Sequence, residues 1–323
     1  MRLCKSLIWL EVLRRVEIYL PQCCWYTRFM ADLVQCTPNF SEGRDRSSVL
    51  RIVETAQAAL TPLGGEVRDW SCDEDHNRSV LTFLGCSEAV EAASVACARA
   101  AVELLDLRTH RGAHPRCGVI DVLPFTPLAG ATHQDVVVLA HRVGSRLSTE
   151  LALPVNYYGW AAHAGRADAL PDLRRLIIRA SKPLDPDEGP TPNAKSGRVL
   201  VGARGPLVAC NMNLLGVDLS TLRRIVDRLK RDRLSLPELT GVRALAIYLQ
   251  RRKVMQVSMN LTQPGDMTLP ALFQYLSRIA AAEGGAIAET EIVGLVPEAT
   301  LGSASPQEIL WNDWRETQIL RGL

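Results

Sequence analysis

Val242-Arg-Ala-Leu-Ala-Ile-Tyr-Leu249 and, shortly after it, Met255-Gln-Val-Ser-Met-Asn-Leu261 decide the fold. Both are short, apolar-rich segments of strand length with a polar connection between them. Moving outward, Asp218 can cap a helix that runs to about Asp232, and a second helical pattern covers Leu269 to Glu283. Outermost lie two more strand-like runs, Pro206–Leu214 and Ala286–Val293. The order is strand, helix, strand, strand, helix, strand. The preceding half of the chain repeats it, with strands at 31–36, 66–70, 79–84 and 117–124 and helices at 45–60 and 87–105. This split order layers helices on one face of a sheet that contains antiparallel strands. The expected class is α+β (α/β), two similar βαββαβ ferredoxin-like subdomains with a cleft between them, spanning 30–204 and 205–323.

Within the first half, Val49, Ile52, Val53, Ala56 and Leu60 fall on one helical face, with Ser41 or Asp45 as the cap. Ser87 is the expected cap of the Ala-rich helix. A further helix is expected over Asp135–Leu151, with Val136, Leu139, Val143 and Leu147 inward. A strand is expected at Pro154–Tyr158, a helix at Leu170–Ser181 and a strand at Arg198–Ala203.

With 323 residues the chain can bury one large or two medium cores. A formal charge of +2 gives no case for a nucleic-acid surface. The first 29 residues differ in character from the rest. Their run Leu7-Ile-Trp-Leu10 stops at Glu11, too short to span a membrane, and no small-residue cleavage site follows. They are expected to be a leader outside the fold, with Met30 as the natural start. Nine cysteines are scattered with no CxxC pair, which points to reduced thiols in a cytoplasmic protein and not to a metal site.

The densest chemistry lies in Asp106-Leu-Arg-Thr-His-Arg-Gly-Ala-His-Pro-Arg-Cys-Gly118, a connection between a helix and a strand. Pro115 constrains His114, and Gly112 and Gly118 allow sharp turns on either side. A histidine held there can take and return a proton near neutral pH. Arg116 can grip a carboxylate through its forked donors. A loop whose His and Arg bond only local carbonyls remains open on spacing alone, and Cys117 is a second, weaker nucleophile candidate. Two further loops are candidates for ligand contact. One is Thr37–Gly43, whose Asn39 amide lies near an expected helix N-terminus. The other is Ser71–Asn77 with Arg78, which offers Asp73, Asp75 and Asn77. Neither an HxH nor an HExxH spacing occurs, so no metal is expected. The run Pro183–Gly197 holds four Pro and two Gly, suited to a linker or a binding wall.

Seven segments, taken together and in order, carry a family resemblance. They are Cys36-Thr-Pro-Asn-Phe-Ser-Glu-Gly-Arg44, His76-Asn-Arg-Ser-Val80, His110-Arg-Gly-Ala-His-Pro-Arg-Cys-Gly118, Asp121-Val-Leu-Pro-Phe125, Asn211-Met-Asn-Leu214, Gln256-Val-Ser-Met-Asn-Leu261 and Ile292-Val-Gly-Leu-Val-Pro297. The chain from Ala31 to about Leu301 resembles glutamate formimidoyltransferase. The resemblance implies transfer of a formimidoyl group from N-formimidoyl-L-glutamate to N5 of tetrahydrofolate, with tetrahydrofolate as co-substrate and no metal. It implies His114 as the catalytic acid and base. It also implies a folate-contacting loop over Gly189, Pro190, Thr191, Pro192, Asn193, Ala194, Lys195, Ser196 and Gly197. The partners expected are these small molecules, with no nucleic acid and no membrane, and a second copy of the chain in a homodimer, since small α/β enzymes are often symmetric dimers. The chain departs from the family at Ala113, where the family often has Glu, and at Ser71, where an acidic residue is common. These departures keep two alternatives in play, a formyl donor and a folate binder without turnover.

Overall fold

The computed structural model describes residues 32–112, 116–179 and 184–321. The expected leader, with Met30, lies outside them, as does His114 with Ala113 and Pro115.

The second half follows the expected order. Strands β8 (Val208–Leu215), β9 (Val242–Leu249), β10 (Val254–Leu261) and β11 (Ala286–Val293) form an antiparallel sheet in the order β11-β8-β10-β9. Period-two alternation sorts their side chains. Val208, Cys210, Met212, Val257, Met259 and Leu261 are buried in the core, under the helices Leu219–Asp232 and Leu269–Ala281. The first of those helices buries Leu222, Ile225, Val226 and Leu229, roughly 1.5–3 kcal/mol for each such side chain. Asp218 caps it by accepting from Thr221 N–H at 2.7 Å.

The first half carries the same unit and then extends it. Strands β1 (Val34–Cys36) and β2 (Asn39–Phe40) are one strand broken at Pro38, which has no N–H to give. Both insert between β4 (Arg78–Gly85) and β5 (Ile120–Pro127), and β3 (Glu66–Asp73) pairs the far side of β4. Two parallel strands, β6 (Val155–Gly159) and β7 (Val199–Ala203), continue the sheet beyond β5 and make it seven-stranded. The two halves share a core topology, and the first is the larger. On its main face pack α1 (Arg46–Leu60), α2 (Ser87–Leu104) and α3 (His133–Leu151). The inward set Val136, Leu139, Val143 and Leu147 is buried as its spacing predicts. Helix α4 (Leu170–Arg179) packs separately, with Leu173 against Val122, Tyr158 and Leu200.

Several boundaries differ from the reading of the sequence. Asp45, not Ser41, caps α1 by accepting from the N–H groups of Ser47 and Ser48. The Ser41 hydroxyl is spent on Gly118 O at 2.8 Å. Cys86 takes the cap position of α2 and Ser87 is already helical, because β4 runs to Gly85 and leaves one residue to turn. The expected loop 71–73 is strand, since β3 stays paired with β4 down to Asp73 opposite Arg78. The strand expected at 117–124 starts at Ile120, because Cys117 and Val119 bond to residues 196–198 instead.

Candidate active site

Three segments, residues 41–43, the turn at Asn77 and the 189–197 wall, meet at the described ends of the 106–118 loop. Asn77, in the left-handed region at φ 48°, sits at their centre and is buried. Its carboxamide accepts from Gly43 N–H at 3.0 Å and donates to Arg111 O at 2.9 Å. Its own carbonyl oxygen lies 2.7 Å from His110 Nε2. Leu107 N–H donates to Lys195 O, and Val119 N–H to Ser196 O, both at 2.9 Å. The 106–118 loop is thus tied to the 189–197 wall at both of its ends. Glycines make the approach possible. A Cβ on Gly112 would lie 2.2 Å from His76 O, and one on Gly197, whose φ is +67°, would lie 2.3 Å from Cys117 O. The wall holds its own shape through Asn193 Oδ1, which accepts from Lys195 N–H at 3.0 Å and Ser196 N–H at 2.8 Å. Gly189 to Thr191 and Asn193 to Lys195 are exposed, whereas Ser196 and Gly197 are buried.

Asn39 is not at a helix N-terminus. It lies in β2, opposite Val80 and Val122, and its Oδ1 accepts from Arg78 Nη2. Arg78 is pushed down to about 10 by burial, an effect that the Asp121 carboxylate partly offsets and that Arg174 reinforces. Arg116 is also lowered by burial, again with Asp121 as its counter-charge. Its Nη2 donates to Gly112 O at 2.7 Å, so it braces the loop that carries His114.

Asp73 and Asp75 are committed elsewhere. Asp73 Oδ1 accepts from His76 N–H at 2.7 Å, and Asp73 Oδ2 lies 3.6 Å from Arg252. Asp75 accepts from Arg251 N–H at 2.6 Å and lies 3.7 Å from Arg252 Nε. Both therefore join the turn of the β3–β4 hairpin to the turn of the β9–β10 hairpin, across the seam between the halves. Asp69, a third carboxylate near Ser71, is paired with Arg315 and is distant from these loops in the pairing pattern.

The structure adds residues that the sequence reading left without a role. On the face of the second sheet opposite its helices, Asn213 donates to Glu289 and Glu291, at 3.0 Å each. Gln256 donates to Asn213 Oδ1 at 3.0 Å and to Glu291 at 3.2 Å, and its Oε1 lies 3.4 Å from His76 Nε2. Asn213 and Gln256 are buried, which a polar residue tolerates only when bonded in this way. The signal was present in the strands, as amides at the positions that alternate with a fully apolar face. Arg174 on α4 gave no such signal. It reaches Asp121, whose other oxygen accepts from Cys117 N–H at 2.8 Å.

Cys117 is pushed up to about 12 by burial and then by the Asp121 carboxylate, so its thiol is not a nucleophile at neutral pH. Among the described residues no group of three His, Cys, Asp or Glu side chains is arranged to hold a metal, and no helix is long and apolar enough to cross a membrane. Two cavities of about 390 and 450 Å³ lie away from these loops, one bordered by Asp135 and Arg142, the other by Asp266 and Arg278. The hydrogen-bonded convergence is the better guide to the site, because it gathers His76, Arg78, His110 and Arg116 and neither cavity is lined by a histidine.

Comparison with known proteins matches two family models in tandem. The formiminotransferase domain, N-terminal subdomain, matches residues 33–204, and the formiminotransferase domain matches residues 209–308. The glutamate formimidoyltransferase of Thermoplasma acidophilum is 35% identical over 297 residues, covering 89% of this chain and 96% of that protein. The protein of the same name from Streptococcus pyogenes serotype M1 is 32% identical over 279 residues, covering 84% of this chain and 91% of its own. The formimidoyltransferase-cyclodeaminase of Gallus gallus is 34% identical over 287 residues, and this chain spans 52% of its length.

Proposed function

The chain belongs to the formiminotransferase family, and from that membership we propose that it transfers the formimidoyl group of N-formimidoyl-L-glutamate to N5 of tetrahydrofolate and releases glutamate. The observation that carries the reading at the site is the lacing of the 106–118 loop to the 189–197 wall and to Asn77. That lacing fixes both ends of the segment bearing His114. Two proton movements are needed, one off the attacking nitrogen and one onto the departing glutamate nitrogen. A single imidazole titrating near neutrality can perform both, and His114 takes that role. The wall from Gly189 to Gly197 contacts the folate. Arg78 and Arg116 hold donor carboxylates through charge-assisted bonds. Asn39 orients Arg78, and Asn77 holds the loops in register. Asp73 and Asp75 serve the site by fixing the second half against the first, a role that their pairs with Arg251 and Arg252 support better than direct ligand contact.

Units of 30–204 and 205–323 go with this reading, supported by separate cores on either side of Arg204. Cytoplasmic residence goes with it as well, supported by the six described cysteines, all free thiols. A symmetric homodimer is proposed as the assembly. Every named relative above carries the formimidoyl reaction in its name, and none carries formyl transfer.

The test is a spectrophotometric assay with tetrahydrofolate and either N-formimidoyl- or N-formyl-L-glutamate, run on wild type and on His114→Ala. Formimidoyl transfer that falls about 10²- to 10⁴-fold in the variant is expected. A variant with near wild-type kcat would remove His114 from the role. Turnover with the formyl donor alone would replace the proposed reaction.

A further inference from the structure

Gln256 is buried in β10, on the face of the second sheet that its helices leave open. Its neighbours across the sheet there are Asn213 of β8 and, one strand further, Glu289 of β11. An ionised carboxylate only accepts hydrogen bonds, so the glutamates set the direction of every bond that follows. Asn213 turns its NH2 to Glu289 and Glu291, at 3.0 Å each, which leaves its oxygen for Gln256. Gln256 gives its own NH2 to that oxygen at 3.0 Å and to Glu291 at 3.2 Å. The Gln256 oxygen is then the atom that faces His76 Nε2, at 3.4 Å. An amide oxygen cannot donate, so a proton stands on His76 Nε2 and is donated across the seam between the halves.

The backbone at His76 is also the floor of the 106–118 loop. A Cβ on Gly112 would lie 2.2 Å from His76 O. One residue on, Asn77 donates to Arg111 O at 2.9 Å, and its carbonyl accepts from His110 Nε2–H at 2.7 Å. Residues 110–112 therefore lie directly against 76–77, and they are the last described residues before His114. Arg252 crosses the same seam, but its side chain is 38% exposed and water competes for its partners. Gln256 is 0% exposed and Asn213 2%. Hydrogen bonds shut off from water are stronger and hold one geometry.

We propose that Gln256 is a positioning residue for the transfer: held by Glu291 and Asn213, it accepts from His76 Nε2–H and so fixes the turn on which residues 110–112 of the histidine-bearing loop rest. The second half of the chain thereby sets the place of a loop that belongs to the first. The inference rests on the function proposed above and deepens it, so its test includes a measurement that does not depend on turnover.

Wild type, Gln256→Met, His76→Met, the double variant and His76→Gln are compared. Methionine keeps an unbranched, space-filling side chain and removes the hydrogen bond. His76 lies at a turn, so His76→Met probes the same contact without disturbing the buried amides of the sheet. Steady-state constants, melting temperature and hydrogen exchange of the peptide 106–112 are measured for each. A small displacement of a reacting group costs up to about 100-fold in rate. Each single Met variant should therefore lose about 10- to 100-fold in kcat, with the KM for either substrate changed by less than about threefold. Gln256 acts through His76, so the double variant should be no slower than the slower single one. His76→Gln puts back an N–H donor and should recover most of the rate. The amides of Leu107 and His110, which donate to Lys195 O and Leu107 O, should exchange faster in the Met variants. A lower melting temperature with unchanged kcat overturns the proposal and leaves Gln256 a support of the sheet. Losses that multiply in the double variant overturn it as well. His76→Gln as slow as His76→Met overturns it in favour of a part for the imidazole in the reaction itself. Unchanged exchange over 106–112 in folded Met variants overturns it whatever the rates. If wild type transfers no formimidoyl group, faster exchange in the Met variants keeps Gln256 as the residue that positions the loop, and only the proposed reaction falls.

Discussion

Cys117 illustrates how far a residue's surroundings outweigh its neighbours in sequence. It lies three positions from His114, yet burial first and then the Asp121 carboxylate hold its thiol protonated to about 12. A raised pKa means little thiolate at neutral pH, and reactivity that grows only as pH climbs toward that value. Iodoacetamide at pH 8 should therefore leave Cys117 unmodified for hours and activity intact, as read by peptide mass mapping. Alkylation within minutes would restore it as a nucleophile candidate. The carboxylates teach a similar lesson. Asp73 and Asp75 were legible as polar loop residues, but their partners Arg251 and Arg252 lie in the other half of the chain. No local pattern names a partner 176 positions away, as Asp75 and Arg251 are.

At the scale of elements, the site is a knot of loops whose spacing is set by glycine. Gly197 has φ +67°, and its hydrogen stands where a Cβ would press on Cys117 O and Gly118 Cα. Gly197→Ala should cost about 2 kcal/mol or more in urea unfolding, from left-handed strain and the overlap together. It should also raise the KM for tetrahydrofolate, because the wall and the 106–118 loop would separate. An alanine variant as stable and as active as wild type would show that the two loops are not held in contact. Helix spacing was readable in α1 and α3 because an apolar face repeats every three or four residues. Loop-to-loop bonds such as Leu107 N–H to Lys195 O leave no periodic trace, because they use the backbone.

At the scale of the molecule, Arg252 is the principal cross-piece. It bonds to Glu291 in its own half and lies within ion-pair distance of Asp73 and Asp75 in the other. Arg252→Ala would leave three carboxylates close together. The loss should be about 1–3 kcal/mol, held below the cost of a fully buried pair by the partial exposure of the guanidinium. Combined with Asp75→Asn, the loss should be less than the sum of the single losses by about 1 kcal/mol. Strict additivity in urea titrations would deny the cross-piece.

The sequence by itself determined the repeated strand-helix-strand-strand-helix-strand order, because side-chain alternation in strands and apolar faces in helices are local properties. It also marked the histidine-bearing loop and the proline-rich wall, because Pro and Gly restrict or free the backbone wherever they occur. Tertiary structure alone decided that β6 and β7 extend the first sheet, that Asn213 and Gln256 form a polar seam with Glu291, and that Arg174 joins Arg78 around Asp121. Those outcomes depend on contacts between distant segments, which form only when the packed layers bring together surfaces that the chain order keeps apart.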